Sequence, residues 1–332
     1  MSLKKPFEII TQKPTFNNLS KDLQNLEEET LNNLKMSKAH NTLRAYKADF
    51  KHFSSFCIDN NVKYLPTDPR IVSLYLTKMS KTAKFSTLKR RLVSIGVVHK
   101  IKGQYLDTKH PMIMENLHGI KRILGSRQKA KKPILINDLK LIIKAISEEK
   151  YIAKDKNQEL NKLREKLRNK ALILIGFSGG FRRSELVNIQ KDDIEFVPEG
   201  VKILIRRSKT DQTGEGNVKA IPYFENREFC PVLALNEYIN QKFENANDGK
   251  IFNISDKLVA LIIKKYTNLA GLDSSKYSGH SLRSGFATTA AEFGAEERNI
   301  MAMTGHKTNQ MVRRYIQEAN LFKNNALNKI KI

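Results

Sequence analysis

KALILIGFSGGFRRSELVNI, residues 170–189, carries the reading on which the rest of this chain depends. After its first lysine the run KALILIGF is apolar and reads as a buried helix, continuing a charged helix expected over 147–168. Paired glycines then form a tight turn, and SELVNIQKDD (184–193) continues as helix. The glycines do not make a nucleotide loop, since no GK[ST] follows and the spacing is not GxGxxG. Arg182 therefore has two readings. It is a surface arginine paired with Glu185 one turn on, or a guanidinium projected from a helix start to hold phosphate oxygens bidentately.

Downstream, VKILIRR (201–207) and VKAIPY (218–223) read as strands joined by the turn-rich SKTDQTGEGN (208–217), a hairpin or small sheet. Everything after about Pro231 reads helical, with Gly294 and Gly305 where helices stop. Upstream, residues 1–18 look irregular and 19–36 read as a polar helix. In 37–61, Leu43, Tyr46, Phe50, Phe53 and Cys57 form a helical stripe, followed by the LPTDP turn (65–69). Helices are expected in IVSLYLTKMS (71–80), FSTLKRRLVSIGVVHKIKG (85–103) and HPMIMENLHGIKRIL (110–124). This predicts a helical domain over 19–124, a basic linker over 125–133 and a second domain over 134–318. A tail helix over 319–332 would carry Leu321, Phe322, Leu327 and Ile330 on its apolar side. The fold class is mainly α, with a small antiparallel β-sheet in the second domain.

A length of 332 residues suits two domains, and 40% apolar residues suit a folded chain. No run of 18 apolar residues predicts a membrane span, and the N-terminus lacks the apolar core of a secretion signal. Cys57 and Cys230 form no CxxC pair, and the seven histidines form no HExxH. A zinc site, a disulfide framework and a resident cofactor are therefore not expected, and a reducing cytoplasm is. Charge is the strongest global signal: 59 Lys plus Arg against 34 acids give +25 and a pI near 9.9. That excess suits a polyanion, because neutralised phosphates release condensed counterions; an AT-rich coding sequence would also inflate lysine.

Four places can carry chemistry. Arg182 is the first. The second is Lys209, near the hairpin tip, where an ammonium could reach a leaving oxygen. HSLRSGFATTAA (280–291) supplies His280 and Arg283, which project together at i and i+3. A guanidinium opposes a metal there but suits an anion. In GHKTNQMVRRYIQ (305–317), His306 follows the helix-stopping Gly305, and Tyr315 lies nine residues on as a core aromatic or a nucleophile. No carboxylate cluster for magnesium accompanies them. The set fits metal-free phosphoryl transfer, in which tyrosine forms a covalent phosphoester and cations stabilise the pentacoordinate phosphate.

This constellation resembles that of the tyrosine recombinases, also called phage integrases, over roughly residues 37–320. LRNKALILIGFSGGFRRSELVNI, HSLRSGFATTAAEFGA and MTGHKTNQMVRRYI look like the family's three catalytic boxes. NTLRAYKADFKHFSSFC, LPTDP and STLKRRLVSIGVVHK look like its helical core-binding domain. The resemblance implies a two-domain C-shaped clamp on a short double-stranded core site. Tyr315 would form a 3′-phosphotyrosyl bond, Arg182 and Arg283 would clamp the non-bridging oxygens, and Lys209 would protonate the leaving 5′-oxygen, with Lys219 nearby. His280 would help take the tyrosine proton, His306 would hydrogen-bond a phosphate oxygen, and Glu185 would support the site. Arg44, Lys47, Lys89, Arg90, Arg91, Lys121, Arg122, Arg127, Lys129, Lys131 and Lys132 are the candidate DNA contacts. The family also implies a tetramer on two duplexes, joined through the C-terminal tail and passing through a Holliday junction, with accessory DNA-bending proteins and a nucleoid location. About 36 residues precede the core-binding helices, too few for the arm-site domain of some phage integrases. Two rivals share features: a type IB topoisomerase, and a non-catalytic DNA-binding regulator, which would be expected to have lost catalytic residues.

Overall fold

The computed structural model describes residues 39–125, 130–150, 154–206, 216–241 and 249–320, with single positions 22, 23, 25, 26, 29, 33, 152, 328 and 330. The chain divides into two compact units, Met1–Lys129 and Ala130–Ile332.

In the first unit the described positions between 19 and 36 are helical, and four helices follow. They are α1 (His40–Asp59), α2 (Pro69–Ser80), α3 (Phe85–Ile101) and α4 (Pro111–Leu124). Starts are fixed locally. Asp68 accepts the Ile71 amide at 3.0 Å ahead of Pro69, and His110 caps the Met112 amide ahead of Pro111. The α1 stripe is as expected, with Phe50, Phe53 and Cys57 buried beside Tyr75, Leu76, Leu88, Ile95 and Ile113. The charge on this unit points both ways. Arg44, Lys47, Lys89, Lys121 and Arg122 are exposed. Arg91 instead turns inward, its guanidinium 5.8 Å from the Tyr75 ring and its Nε 3.9 Å from buried Asp49. Asp49 also accepts from Arg90 at 3.0 Å and from Ser94 at 2.9 Å. The basic face of α3 is thus partly committed to holding α1.

The second unit runs α5 (Ile136–Glu148), α6 (Lys156–Ser178), α7 (Arg183–Leu186), β1 (Ile194–Val197), β2 (Gly200–Ile205), β3 (Asn217–Pro222), α8 (Pro231–Asn240), α9 (Asp256–Leu269), α10 (His280–Glu292), α11 (Glu297–Thr304) and α12 (Asn309–Asn320). Three expectations are corrected. The helix expected over 147–168 is interrupted, because Asp155 caps the Gln158 amide at 2.7 Å and begins a new helix there. Glu149 leaves the helical region and pairs with Lys265 and Tyr266. SELVNIQKDD is not one helix: between a short α-helix at its start and a 3-10 turn at Lys191–Asp193, Gln190 is extended, bridges to Lys250 and gives its amide to Asp193. The sheet has a third strand, β1, in antiparallel order β1-β2-β3. In that sheet Val201 faces Ile221 across β2 and β3, and Ile203 faces Lys219.

The core is built around the C-terminal half of α6, where Ala171, Leu172, Ile173, Leu174 and Ile175 are buried in succession. A helix apolar on every side must be enclosed, and α5, α8, α9, α10 and the sheet supply residues to that core. Of the expected linker, Lys131 donates to the Ser275 carbonyl, and Lys132 pairs with Asp138 and the Tyr277 hydroxyl. Arg127 and Lys129 lie outside the described residues, as do Lys209, Leu321, Phe322 and Leu327.

Candidate active site

Two glycine turns organise the site. Gly180, at φ +55°, ends the α6 turn in the left-handed region that favours glycine, and a Cβ there would press on Phe286 and Thr304. The chain then passes through buried Phe181 to Arg182 at the N-cap of α7. Gly305, at φ +62°, is the left-handed C-cap of α11 and delivers His306.

Each turn gives a backbone carbonyl to one arginine. Arg283, on α10 and 1% exposed, donates Nη1 to the Gly180 carbonyl at 2.9 Å. Arg182 donates Nη2 to the Gly305 carbonyl at 3.2 Å, and its Nη1 lies 2.5 Å from Glu185 Oε1. Glu185 also accepts the Arg182 amide at 2.9 Å, which fixes the helix start and the guanidinium together. Arg182 thus pairs with Glu185, but half-buried beside a second arginine and not out on the surface. Burial, then the nearby Arg182, pull the Arg283 pKa down from 12.5 to about 10. Its buried Nη2 has no hydrogen-bond partner. A buried charged donor without an acceptor is costly.

Tyr315 comes from α12, which docks through buried Val312 on Ala287, Ala291 and Ile300 of α10 and α11. Its hydroxyl is 3.4 Å from His280 Nε2, and its ring centroid is 6.2 Å from that of His306. Tyr315 is thus partly packed in that small cluster, with its hydroxyl turned to a histidine. Partial burial of its ring, then Arg283, Arg182 and Arg183, push the His280 pKa below 6.5. His280 is therefore neutral at neutral pH, the state that can accept a proton. His306 is pushed further, to about 4, by burial and then by the same two arginines. Its Nδ1 is 2.7 Å from Thr304 Oγ1, which lies 2.6 Å from the Ile300 carbonyl. The single Thr304 proton has two acceptors.

Arg182, His280, Arg283, His306, Tyr315 and Glu185 are therefore neighbours around one site. Lys209 lies outside the described residues, and Lys219 stands in the site from β3. Two residues escaped the sequence reading or entered it only as a neighbour. Thr304 gave no signal of its own. Lys219 gave one: in NVKAIP it falls on the inward phase of the strand with Ile221. Among the described residues, no group of three or more His, Cys, Asp or Glu could hold a metal ion. No described helix is long and apolar enough to cross a membrane.

Residues 150–321 match the model of the phage integrase family. The chain is also 40% identical to an integrase/recombinase XerD homolog of Selenomonas ruminantium, over 90% of this chain and 87% of that one. The chain belongs to the phage integrase family. A tyrosine recombinase of Agathobacter rectalis is 25% identical over 84% of this chain and 86% of its own. The fold is shared with the XerH site-specific recombinase in a post-cleavage complex with a palindromic difH substrate. There the TM-score is 0.63 at 16% identity, over 96% of this chain and 94% of the other. As a member of this family the protein is a DNA-binding site-specific tyrosine recombinase.

Proposed function

We propose that this recombinase exchanges DNA strands through a 3′-phosphotyrosyl bond at Tyr315 and a Holliday junction, with no need of ATP. The observation that carries the reading is the Tyr315 hydroxyl 3.4 Å from His280 Nε2, beside a buried Arg283 whose Nη2 has no hydrogen-bond partner. Tyrosine is a weak nucleophile with a pKa near 10, so its proton must leave during attack. His280 Nε2 takes that proton as the phenolic oxygen bonds to phosphorus. The bond from phosphorus to the 5′-oxygen breaks, its electron pair stays on that oxygen, and Lys209 supplies the proton. Arg283 and Arg182 hold the non-bridging oxygens, and His306 donates a further hydrogen bond through Nε2. These groups are aimed before reaction, so charge is stabilised with little reorganisation.

The phosphotyrosyl ester keeps the energy of the broken bond. The freed 5′-hydroxyl of a second duplex attacks it, giving its proton to Lys209 while His280 returns its proton to the departing tyrosine oxygen, and the exchanged strand is sealed. Four protomers act on two duplexes of a short core site at the nucleoid. The tail joins neighbouring protomers in a ring, and accessory DNA-bending proteins set direction. Arg44, Lys47, Lys89, Lys121 and Arg122 are the contacts to phosphate on the helical unit.

The test uses labelled DNA from the flanks of this protein's own gene, incubated in EDTA with wild type and Tyr315→Phe. The expected result is an SDS-resistant, protease-sensitive adduct with wild type only, and equal binding by both. An adduct with Tyr315→Phe refutes the mechanism. Specific binding with no adduct favours a DNA-binding regulator, and supercoil relaxation by a monomer favours a type IB topoisomerase.

A further inference from the structure

Lys219 is 4% exposed on β3, on the face it shares with buried Ile221. Burying an ammonium is costly unless its hydrogens find acceptors, and this one finds two. Nζ donates to the Gly179 carbonyl and to the Met303 carbonyl, each at 2.6 Å, and sits 4.4 Å from the centroid of the Phe181 ring. The two acceptors belong to the two glycine turns of the site. Gly179 precedes Gly180, whose carbonyl holds Arg283 and whose turn leads to Arg182. Met303 lies two residues before Gly305, whose carbonyl holds Arg182 and whose turn leads to His306.

We infer that Lys219 is a positioning residue: by tethering both glycine turns from the strand beside them, it fixes the spacing of Arg182, Arg283 and His306 around the reacting phosphate. The inference rests on the proposed function. The groups facing Nζ are Glu185, which favours its charge, and Arg283 and Arg182, which oppose it; with burial foremost, its pKa is drawn down to about 7. The tether survives either protonation state, since a neutral amine keeps two N–H groups and an ammonium has three. A proton donor to the leaving oxygen has to reach DNA, whereas two N–H groups of Lys219 point at backbone in the interior. The tether belongs to Lys219 and proton donation to Lys209.

The two roles separate chemically. When sulfur replaces the bridging 5′-oxygen, the leaving group departs as a thiolate and needs no proton. Single-turnover cleavage is measured on oxygen and sulfur versions of the DNA that wild type cleaves, with Lys219→Met, Lys219→Gln and Lys209→Ala. Lys219→Met is expected to slow both substrates by about 100-fold, the effect of misplacing reacting groups by roughly 1 Å. Its DNA affinity stays within about threefold of wild type, and its far-UV circular dichroism and melting are unimpaired, as for other losses confined to the transition state. Lys209→Ala is slowed on oxygen and restored on sulfur. Restoration of Lys219→Met by sulfur makes it the proton donor and overturns the inference, as does wild-type cleavage by that variant. If Lys219→Met and Lys219→Gln both fail to fold, the lysine holds the whole core and the local role is overturned. A wild type that forms no adduct on either substrate refutes the proposed function, and this inference with it.

Discussion

Replacing Arg283 by methionine separates what this residue does for the fold from what it does for DNA. Holding its guanidinium charged in the interior lowers its pKa from 12.5 to about 10, equivalent to about 3 kcal/mol against the folded state. The sign is that of a base whose folded pKa is depressed: the penalty is complete below about 10 and disappears only as pH rises past 12.5. Arg283→Met removes it at neutral pH. It also removes the Nη1 bond to the Gly180 carbonyl, a charged hydrogen bond of about 1.5–3 kcal/mol. The net expectation is a gain of roughly 0–2 kcal/mol, which for a unit of this size raises Tm by about 0–8 °C. A well-compensated buried ion behaves in the opposite way, and its loss costs about 3–5 kcal/mol. Differential scanning calorimetry of the full chain distinguishes the two. A Tm lower by about 8 °C or more for the second unit refutes the view that Arg283 Nη2 lacks a partner in the free protein. On DNA the same variant should lose adduct formation by about 100- to 1,000-fold, the cost of one donor to a developing oxyanion.

His306 makes the free protein sensitive to acid. With its pKa lowered from 6.5 to about 4, the unfolded state binds a proton that the folded state refuses between those values. Stability is therefore full above 6.5 and falls by about 3 kcal/mol as pH drops to 4. Urea unfolding against pH checks this, and His306→Gln should flatten that limb; an NMR titration midpoint for His306 at or above 6.5 refutes it. In the helical unit, Asp49→Ala leaves the Arg91 guanidinium half-enclosed without a counter-charge and should lower stability by about 3–5 kcal/mol. Urea denaturation of the full chain measures it, and a loss under about 1 kcal/mol refutes the structural role of that network.

Much of this site was legible because its residues come in short contiguous boxes. Gly180 and Gly305 are punctuation that local chemistry explains, Arg182, His306 and Tyr315 lie a few residues after them, and Arg283 follows His280 by three. The four helices of the first unit were legible from their residue patterns, and the structure adds that Pro69 and Pro111 open two of them. What was missed depends on partners far along the chain. Glu149 leaves its helix toward Lys265, and Gln190 leaves its own toward Lys250 and Asp193. β1 is only four residues long, with a glutamate in its middle, and pairing with β2 is what makes it a strand. Arg91 read as surface charge because nothing in its neighbourhood in sequence indicates that Asp49 waits inside. Lys219 shows most clearly how pattern and residue type can disagree. The alternation pointed inward while its charge pointed outward, and two backbone carbonyls decided the matter.

The antiparallel register of the sheet has an evolutionary side. Gly200 opposite Pro222 and Ile203 opposite Lys219 fix which residues of β3 face inward, and a slip of one position would send the lysine to solvent and bring a neighbour in. The segment joining β2 to β3 carries Lys209. Insertions and deletions there could retune how a proton reaches different target sequences while the inner wall of the catalytic centre stays as it is. One hairpin thus joins strands whose register is set by pairing to the segment that carries Lys209.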